Sequence, residues 1–161
     1  MEKQILTCSF ERYTAREEIE PALQPLISSC LEAMQSAYAP YSGFSVGAAV
    51  LLENGIVVKG NNQENAAYPS GLCAERVAFF AAGANHPGVR IVAAAVSASS
   101  QQYTTGEPVT PCGSCRQSML EYELKQSIDI PLYMISPSGE ILKSSSIKQL
   151  LPLYFESRGK F

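Results

Sequence analysis

The chain has 161 residues with 12 basic and 15 acidic side chains, a net charge of −3 that lacks the basic footprint of a nucleic-acid binder. A domain this long, 46% apolar, buries enough surface to fold without disulfide staples, and its longest clean apolar stretch, Ile91 to Val96, is far too short to span a membrane. Only 17% of residues are charged, against about 25% in an ordinary soluble domain, which is the composition of a chain that covers part of its surface with another copy of itself.

In chain order, residues 1–14 show no strong period, although Gln4 to Phe10 has the makings of a short extra strand. The spacing of Leu23, Leu26, Ile27, Cys30, Leu31 and Met34 predicts an amphipathic helix from about Glu18 to Ala37, with Pro21 and Pro25 in its first turns. Phe44 to Leu52 reads as a strand, Asn54-Gly55 as a hairpin turn and Ile56 to Gly60 as the returning strand. A polar loop, Asn61 to Gly71, leads into a helix over Leu72 to Ala84. Ile91 to Ser97 is a continuous apolar run, expected of a central strand covered on both faces. A helix from Cys112 to about Leu124, strands at Ile130 to Ile135 and Ile141 to Ser144, and a short helix from Ser146 to Leu151 complete the pattern. The order of elements predicts one α/β domain over residues 1–161, a three-layer α/β/α sandwich on a five-stranded mixed sheet, with about 1–20 as an N-terminal extension.

Met1-Glu2-Lys3-Gln4 lacks the basic head and apolar core of a signal peptide, and the five cysteines are an odd number, so a reducing, cytoplasmic setting is expected. Cysteine spacing is then read for metal or catalysis. Cys112 and Cys115, three apart on a helix, share a face and can give two sulfurs to one ion. Cys73 opens the other helix, in Cys73-Ala74-Glu75-Arg76. At a helix start Cys73 and Glu75 converge on the helix end, so two helix N-termini are expected to face each other across one zinc ion. Helix N-termini supply N–H donors and partial positive charge to the thiolates, and Arg76 offsets the net −1 of three thiolates and Zn²⁺. Three protein ligands leave a fourth position open, the pattern of a catalytic zinc, with Glu75 placed to move protons. A Cys-x-x-Cys alone fits a structural zinc site or a thiol redox pair equally well; Glu75 beside an open position argues against both.

Cys73-Ala74-Glu75-Arg76 followed by Pro111-Cys112-Gly113-Ser114-Cys115-Arg116-Gln117 resembles the zinc-dependent cytidine deaminase family. The resemblance extends over about Leu31 to Phe155 and includes Tyr38-Ala39-Pro40-Tyr41-Ser42-Gly43-Phe44, Asn61-Asn62-Gln63-Glu64-Asn65-Ala66-Ala67-Tyr68-Pro69 and Leu150-Leu151-Pro152. Gln63, Ala67 and Ser114 depart from the residues common in relatives, and none of them carries a catalytic role.

The resemblance implies hydrolytic deamination of cytidine and 2′-deoxycytidine to the uridines, with one zinc per chain on Cys73, Cys112 and Cys115 and Glu75 as proton shuttle. It implies that Asn62 and Glu64 bind the ribose 3′-hydroxyl and that Phe44 packs by the pyrimidine. The Ala74 N–H would meet the base carbonyl and the Thr110 carbonyl the amino group. In the homotetrameric branch Ala66, Tyr68 and Phe155 reach a neighbour's site. The substrate is expected to be a free nucleoside, with no nucleic acid and no membrane as partner. The same chemistry on a cytosine-containing antibiotic or on a base in nucleic acid is the nearest rival. Cys30 is expected in the core, His86 in a solvated turn, and Arg116 and Gln117 as braces of the second zinc helix.

Overall fold

Small apolar residues decide the centre of the molecule. In the computed structural model β4 (Ile91–Ser100) turns Ala93 and Ala95 to one face of the sheet and Ala94 and Val96 to the other, all of them buried. Side chains this small let helices lie close on both faces, so the continuous apolar run becomes a strand covered twice. The structure describes residues 1–102, 104 and 106–156; Tyr103, Thr105 and the last five residues of the expected domain, 157–161, lie outside the described residues.

The other strands are β1 (Phe10–Tyr13), β2 (Phe44–Leu52), β3 (Val57–Asn61), β5 (Leu132–Ile135) and β6 (Ile141–Ser144). Their order is β1-β6-β5-β4-β2-β3; β4 and β5 pair in parallel and every other neighbour is antiparallel. The hairpin β2–β3 therefore forms an edge as expected, and the crossover from β3 to β4 passes over β2. The expected count of five strands is corrected to six. The additional strand is Phe10–Tyr13, not Gln4 to Phe10, and it forms because β6 offers an unpaired edge, a partner that no local periodicity announces. Tyr13 donates to Glu11 and Lys143 pairs with it at 3.1 Å, which fixes the added strand to its neighbour.

The first expected helix is divided. Two 3₁₀ turns, Arg16–Glu18 and Pro21–Leu23, precede α1 (Gln24–Gln35): Pro21 supplies no N–H and holds Glu20 extended, while Pro25 is accommodated in the first turn of α1. α1 lays Leu26, Ile27 and Cys30 on Ala49, Ala93 and Ala95. The opposite face carries α2 (Ala74–Asn85) and α3 (Gly113–Gln126), joined by Phe79 and Tyr122 with ring centroids 5.5 Å apart, edge to face. Gly60 of β3 lies directly under α2: a Cβ there would stand 2.4 Å from the Ala78 nitrogen and 2.6 Å from the Ala74 oxygen.

The expected helix at Ser146 to Leu151 is a 3₁₀ turn, Ile147–Leu150, and it is tied to α3 by a buried carboxylate. Glu123 accepts hydrogen bonds from Ile130 N, Ile147 N and the Ser146 hydroxyl at 2.7–2.8 Å, and from Lys148 N at 3.1 Å. Four donors make a fully buried carboxylate tolerable.

Candidate functional site

Both helices on one face begin at cysteines. Cys73 is the N-cap residue of α2 and Cys112 that of α3, each with extended backbone, and Cys115 follows within the first turn of α3. The tight seating of α2 on Gly60 and the Phe79–Tyr122 contact bring those two helix starts together. The sulfurs of Cys73, Cys112 and Cys115 all lie within 4.8 Å of one another. A tetrahedral zinc with bonds of about 2.3 Å needs sulfurs about 3.8 Å apart, so a small inward movement completes the set. Borderline-soft thiolates at two helix N-termini are the donor chemistry that zinc favours, and the residues fit the ion.

The electrostatics are those of a cation site. The Cys73 thiol is drawn down to about 5 by hydrogen bonding from Cys115, against the opposing effect of burial, with Arg76 adding to the lowering. Cys115, which supplies that bond and is itself buried, is pushed up. Arg76 directs Nη2 at the Cys73 sulfur from 3.8 Å. Glu75 is 5% exposed, and burial raises its pKa. It lines a cleft of about 750 Å³ together with Cys73 and Cys112.

The cleft gathers most of the residues singled out in the sequence. Phe44, Asn62, Glu64, Tyr68 and Thr110 line it, while Ala74 is buried behind Cys73. Asn62 is zipped onto β2: its Oδ1 accepts from Val46 N at 2.8 Å and its Nδ2 donates to Phe44 O at 2.9 Å. Glu64 accepts from Tyr41 N, Ser42 N and the Ser42 hydroxyl. A carboxylate offers about four lone-pair sites and an amide nitrogen two hydrogens. Among the described residues, Glu64 keeps one acceptor site and Asn62 one donor. One donor beside one acceptor is the complement of a hydroxyl group.

Two of the residues assigned to a neighbour's site stand apart from this chain's own cleft. Ala66 is exposed and Phe155 is 77% exposed, and neither lines the cleft; Tyr68, equally exposed, sits at its rim. Gln117 holds the backbone of Phe155, donating to its carbonyl at 2.9 Å and accepting from its N–H at 3.3 Å. Arg116 donates to Pro111 O, Leu150 O and the Thr110 hydroxyl, so the two residues brace the start of α3 as expected. Cys30 is fully buried in the core, and its Sγ donates to Gly47 O at 3.3 Å. His86 lies in the expected turn, as the C-cap of α2 with its carbonyl accepting from Val89 N at 3.2 Å, and is half-buried there rather than fully solvated.

Tyr41, Val46, Leu72, Val96 and Val109 also line the cleft, and the sequence reading gave them no role. Val46 and Val96 were recoverable from strand alternation, since both face the side that carries α2 and α3. Nothing local marked Leu72 or Val109.

Comparison with known proteins agrees with this geometry. The family model for the cytidine and deoxycytidylate deaminase zinc-binding region matches residues 21–128, so β1 lies before the matched region. The chain is 42% identical over 130 residues to a cytidine deaminase of Halalkalibacterium halodurans, covering 80% of this chain and 90% of that one. It is 40% identical over 131 residues to a cytidine deaminase of Sporosarcina psychrophila, covering 81% and 88%. The crystal structure of cytidine deaminase from Burkholderia pseudomallei superposes with a TM-score of 0.71 at 38% identity, over 82% of this chain and 98% of the other. That from Mycobacterium tuberculosis gives 0.64 at 34% identity, over 83% and 97%. With three cysteine sulfurs gathered at two helix starts and the family match spanning both, the chain belongs to the cytidine and deoxycytidylate deaminase zinc-binding family.

Proposed function

We propose that the protein hydrolytically deaminates cytidine and 2′-deoxycytidine to uridine and 2′-deoxyuridine with release of ammonia, a pyrimidine-salvage activity. The observation that carries this reading is the meeting of three cysteine sulfurs with a buried glutamate at the base of a cleft sized for a nucleoside. Cys73, Cys112 and Cys115 hold one zinc per chain, and the chemistry it supplies when bound is acidification of water from a pKa of 15.7 to about 7.

Glu75 moves the protons. It takes one from water as the oxygen adds to C4 and delivers it to N3, so that the ring accepts the electron pair. It then takes the remaining proton of the added hydroxyl and passes it to N4, and the C4–N4 bond breaks as the carbonyl forms. The balance is one water consumed and one ammonia released. Arg76 offsets the excess negative charge of the thiolates, in keeping with its approach to Cys73. The Ala74 N–H and the Thr110 carbonyl orient the base, and Phe44 packs on its ring. Asn62 and Glu64 take the sugar 3′-hydroxyl, a reading supported by their remaining donor and acceptor.

The substrate is a free nucleoside. Glu64 on the cleft wall repels an added phosphate, and among the described residues the cleft lining includes no basic side chain. No helix among the described residues is long and apolar enough to cross a membrane, and all five cysteines are free thiols, which supports a cytoplasmic setting. The chain acts as one domain with the first twenty residues as an extension, and it assembles as a homotetramer in which Ala66, Tyr68 and Phe155 complete a neighbour's site. The exposure of Phe155 outside its own cleft supports this sharing.

The test is direct. Purified protein mixed with cytidine should deplete the cytidine absorbance and release ammonia in equal amounts, with cytidine monophosphate turned over far more slowly. Absence of turnover by zinc-replete protein would refute the activity, and equal efficiency on the monophosphate would refute the substrate assignment.

A further inference from the structure

The wall of the cleft holds a residue to which neither the metal nor the proton chemistry gives a task. Ser42 lies in the turn between α1 and β2. That turn is closed by Gly43 N donating to Ala39 O at 3.0 Å, with Gly43 at φ +61°, a conformation suited to glycine. Glu64 comes from the loop after β3, anchored there by its own N–H on Tyr38 O at 2.9 Å. The two segments meet at one carboxylate. Glu64 Oε2 accepts from Tyr41 N at 2.9 Å and Ser42 N at 3.3 Å, and Glu64 Oε1 accepts from the Ser42 hydroxyl at 2.5 Å.

The Ser42 hydroxyl is held from both sides. Its oxygen accepts the Phe44 N–H at 3.0 Å, which leaves its hydrogen aimed at Glu64. Ser42 O accepts from Gln102 Nε2 at 3.2 Å, so the backbone of the turn is fixed as well. Among the described residues, both lone-pair directions of Oε2 are taken and one of Oε1 is taken, which leaves a single acceptor direction. That direction is set by the hydroxyl. Ser42 is also the largest influence holding the Glu64 carboxyl below its ordinary range.

We propose that Ser42 is a positioning residue for sugar recognition, acting through Glu64: its hydroxyl fixes the carboxylate rotation and so aims the one unused lone pair at the substrate's sugar hydroxyl. This rests on the reading that Glu64 binds that hydroxyl, and the experiment separates the two. Cytidine and 3′-deoxycytidine are compared on the wild type, Ser42→Ala and Ser42→Thr, with kcat and KM measured for each.

Loss of a hydrogen bond to a charged group weakens binding by about 10- to 150-fold, so the wild type should show a KM ratio of that order between the two nucleosides. In Ser42→Ala the KM for cytidine should rise about three- to tenfold with kcat within twofold, while the KM for 3′-deoxycytidine stays unchanged and the ratio shrinks. Ser42→Thr, which keeps the hydroxyl, should restore the ratio. A damaged turn would raise both KM values together, and that result overturns the proposal, as does a wild-type ratio in Ser42→Ala. A wild type that treats both nucleosides alike removes Glu64 from sugar binding, and the proposal falls with that reading. If the alanine variant does not fold, Ser42→Cys, a near-isostere with a weak donor, gives the same measurement.

Discussion

Replacing Gly60 by alanine should disable the metal site from the far side of a helix. In a strand, alanine for glycine is ordinarily favourable by roughly 0.5–1 kcal/mol. Here the added Cβ would stand 2.4 Å from Ala78 N and 2.6 Å from Ala74 O, both backbone atoms of α2. Ordinary contact lies near 3.4 Å or beyond, so helix and strand must separate by about 1 Å. Overpacking of this kind costs about 1–3 kcal/mol, which outweighs the strand preference and sets the sign. The displaced element is the one that begins at Cys73 and carries Glu75. Zinc–sulfur bonds of about 2.3 Å cannot bridge sulfurs more than about 4.6 Å apart, and sulfurs that lie within 4.8 Å of one another have little room to move outward. A 1 Å displacement of a reacting group costs on the order of 10²-fold in rate. Zinc per chain, thermal midpoint and kcat/KM of Gly60→Ala, measured together, should all fall, with kcat/KM down about 100-fold. A variant with full zinc, an unchanged midpoint and kcat/KM within twofold would refute the claim that bare backbone contact at Gly60 sets the site.

Cys73→Ala should lose its zinc by metal analysis, whereas Cys30→Ala, in the core on the opposite face of the sheet, should keep it. Glu75→Gln should retain zinc and fold yet lose 10²–10⁴-fold or more in turnover, because one group serves several proton transfers; activity within tenfold of wild type would remove Glu75 from the chemistry. Glu123→Ala strands three buried donors, Ile130 N, Ile147 N and the Ser146 hydroxyl, and should cost more than about 3 kcal/mol, or roughly 6–12 °C in the thermal midpoint, with Glu123→Gln milder. Mixed tetramers of Glu75→Ala and Phe155→Ala chains should regain activity that neither homotetramer has, and no regain would place Phe155 outside a shared site.

What was legible in the sequence was local or periodic. The strand Phe44–Leu52 and the strand Ile141–Ser144 have their expected bounds because alternation and flanking turns define them. The three ligating cysteines declared themselves by their place at helix starts. Tertiary pairing was not legible. β1 exists because β6 had an edge to give, and no residue from Phe10 to Tyr13 announces that partner. The long helix expected from Glu18 is divided at Pro21, before which Glu20 is extended, whereas Pro25 sits in the first turn of α1 as expected. In the site, the sequence named Asn62 and Glu64 but not Ser42 or Tyr41, because a hydrogen bond across 22 residues leaves no period in the chain.

The segment after β6 runs back along α3. Glu123 holds Ile147 and Lys148 near one end of the helix, while Arg116 holds Leu150 and Gln117 holds Phe155 beside Cys115 at the other. Cys115, Arg116 and Gln117 are consecutive in the first turns of α3, so the metal and residues 147–155 share one anchorage. Thermodynamic reciprocity then applies: whatever free energy zinc lends to the docking of residues 147–155, their docking returns to zinc. Protease sensitivity near Leu153 would thus report the metal content of the protein, and trimming that stretch would loosen an ion that it never touches.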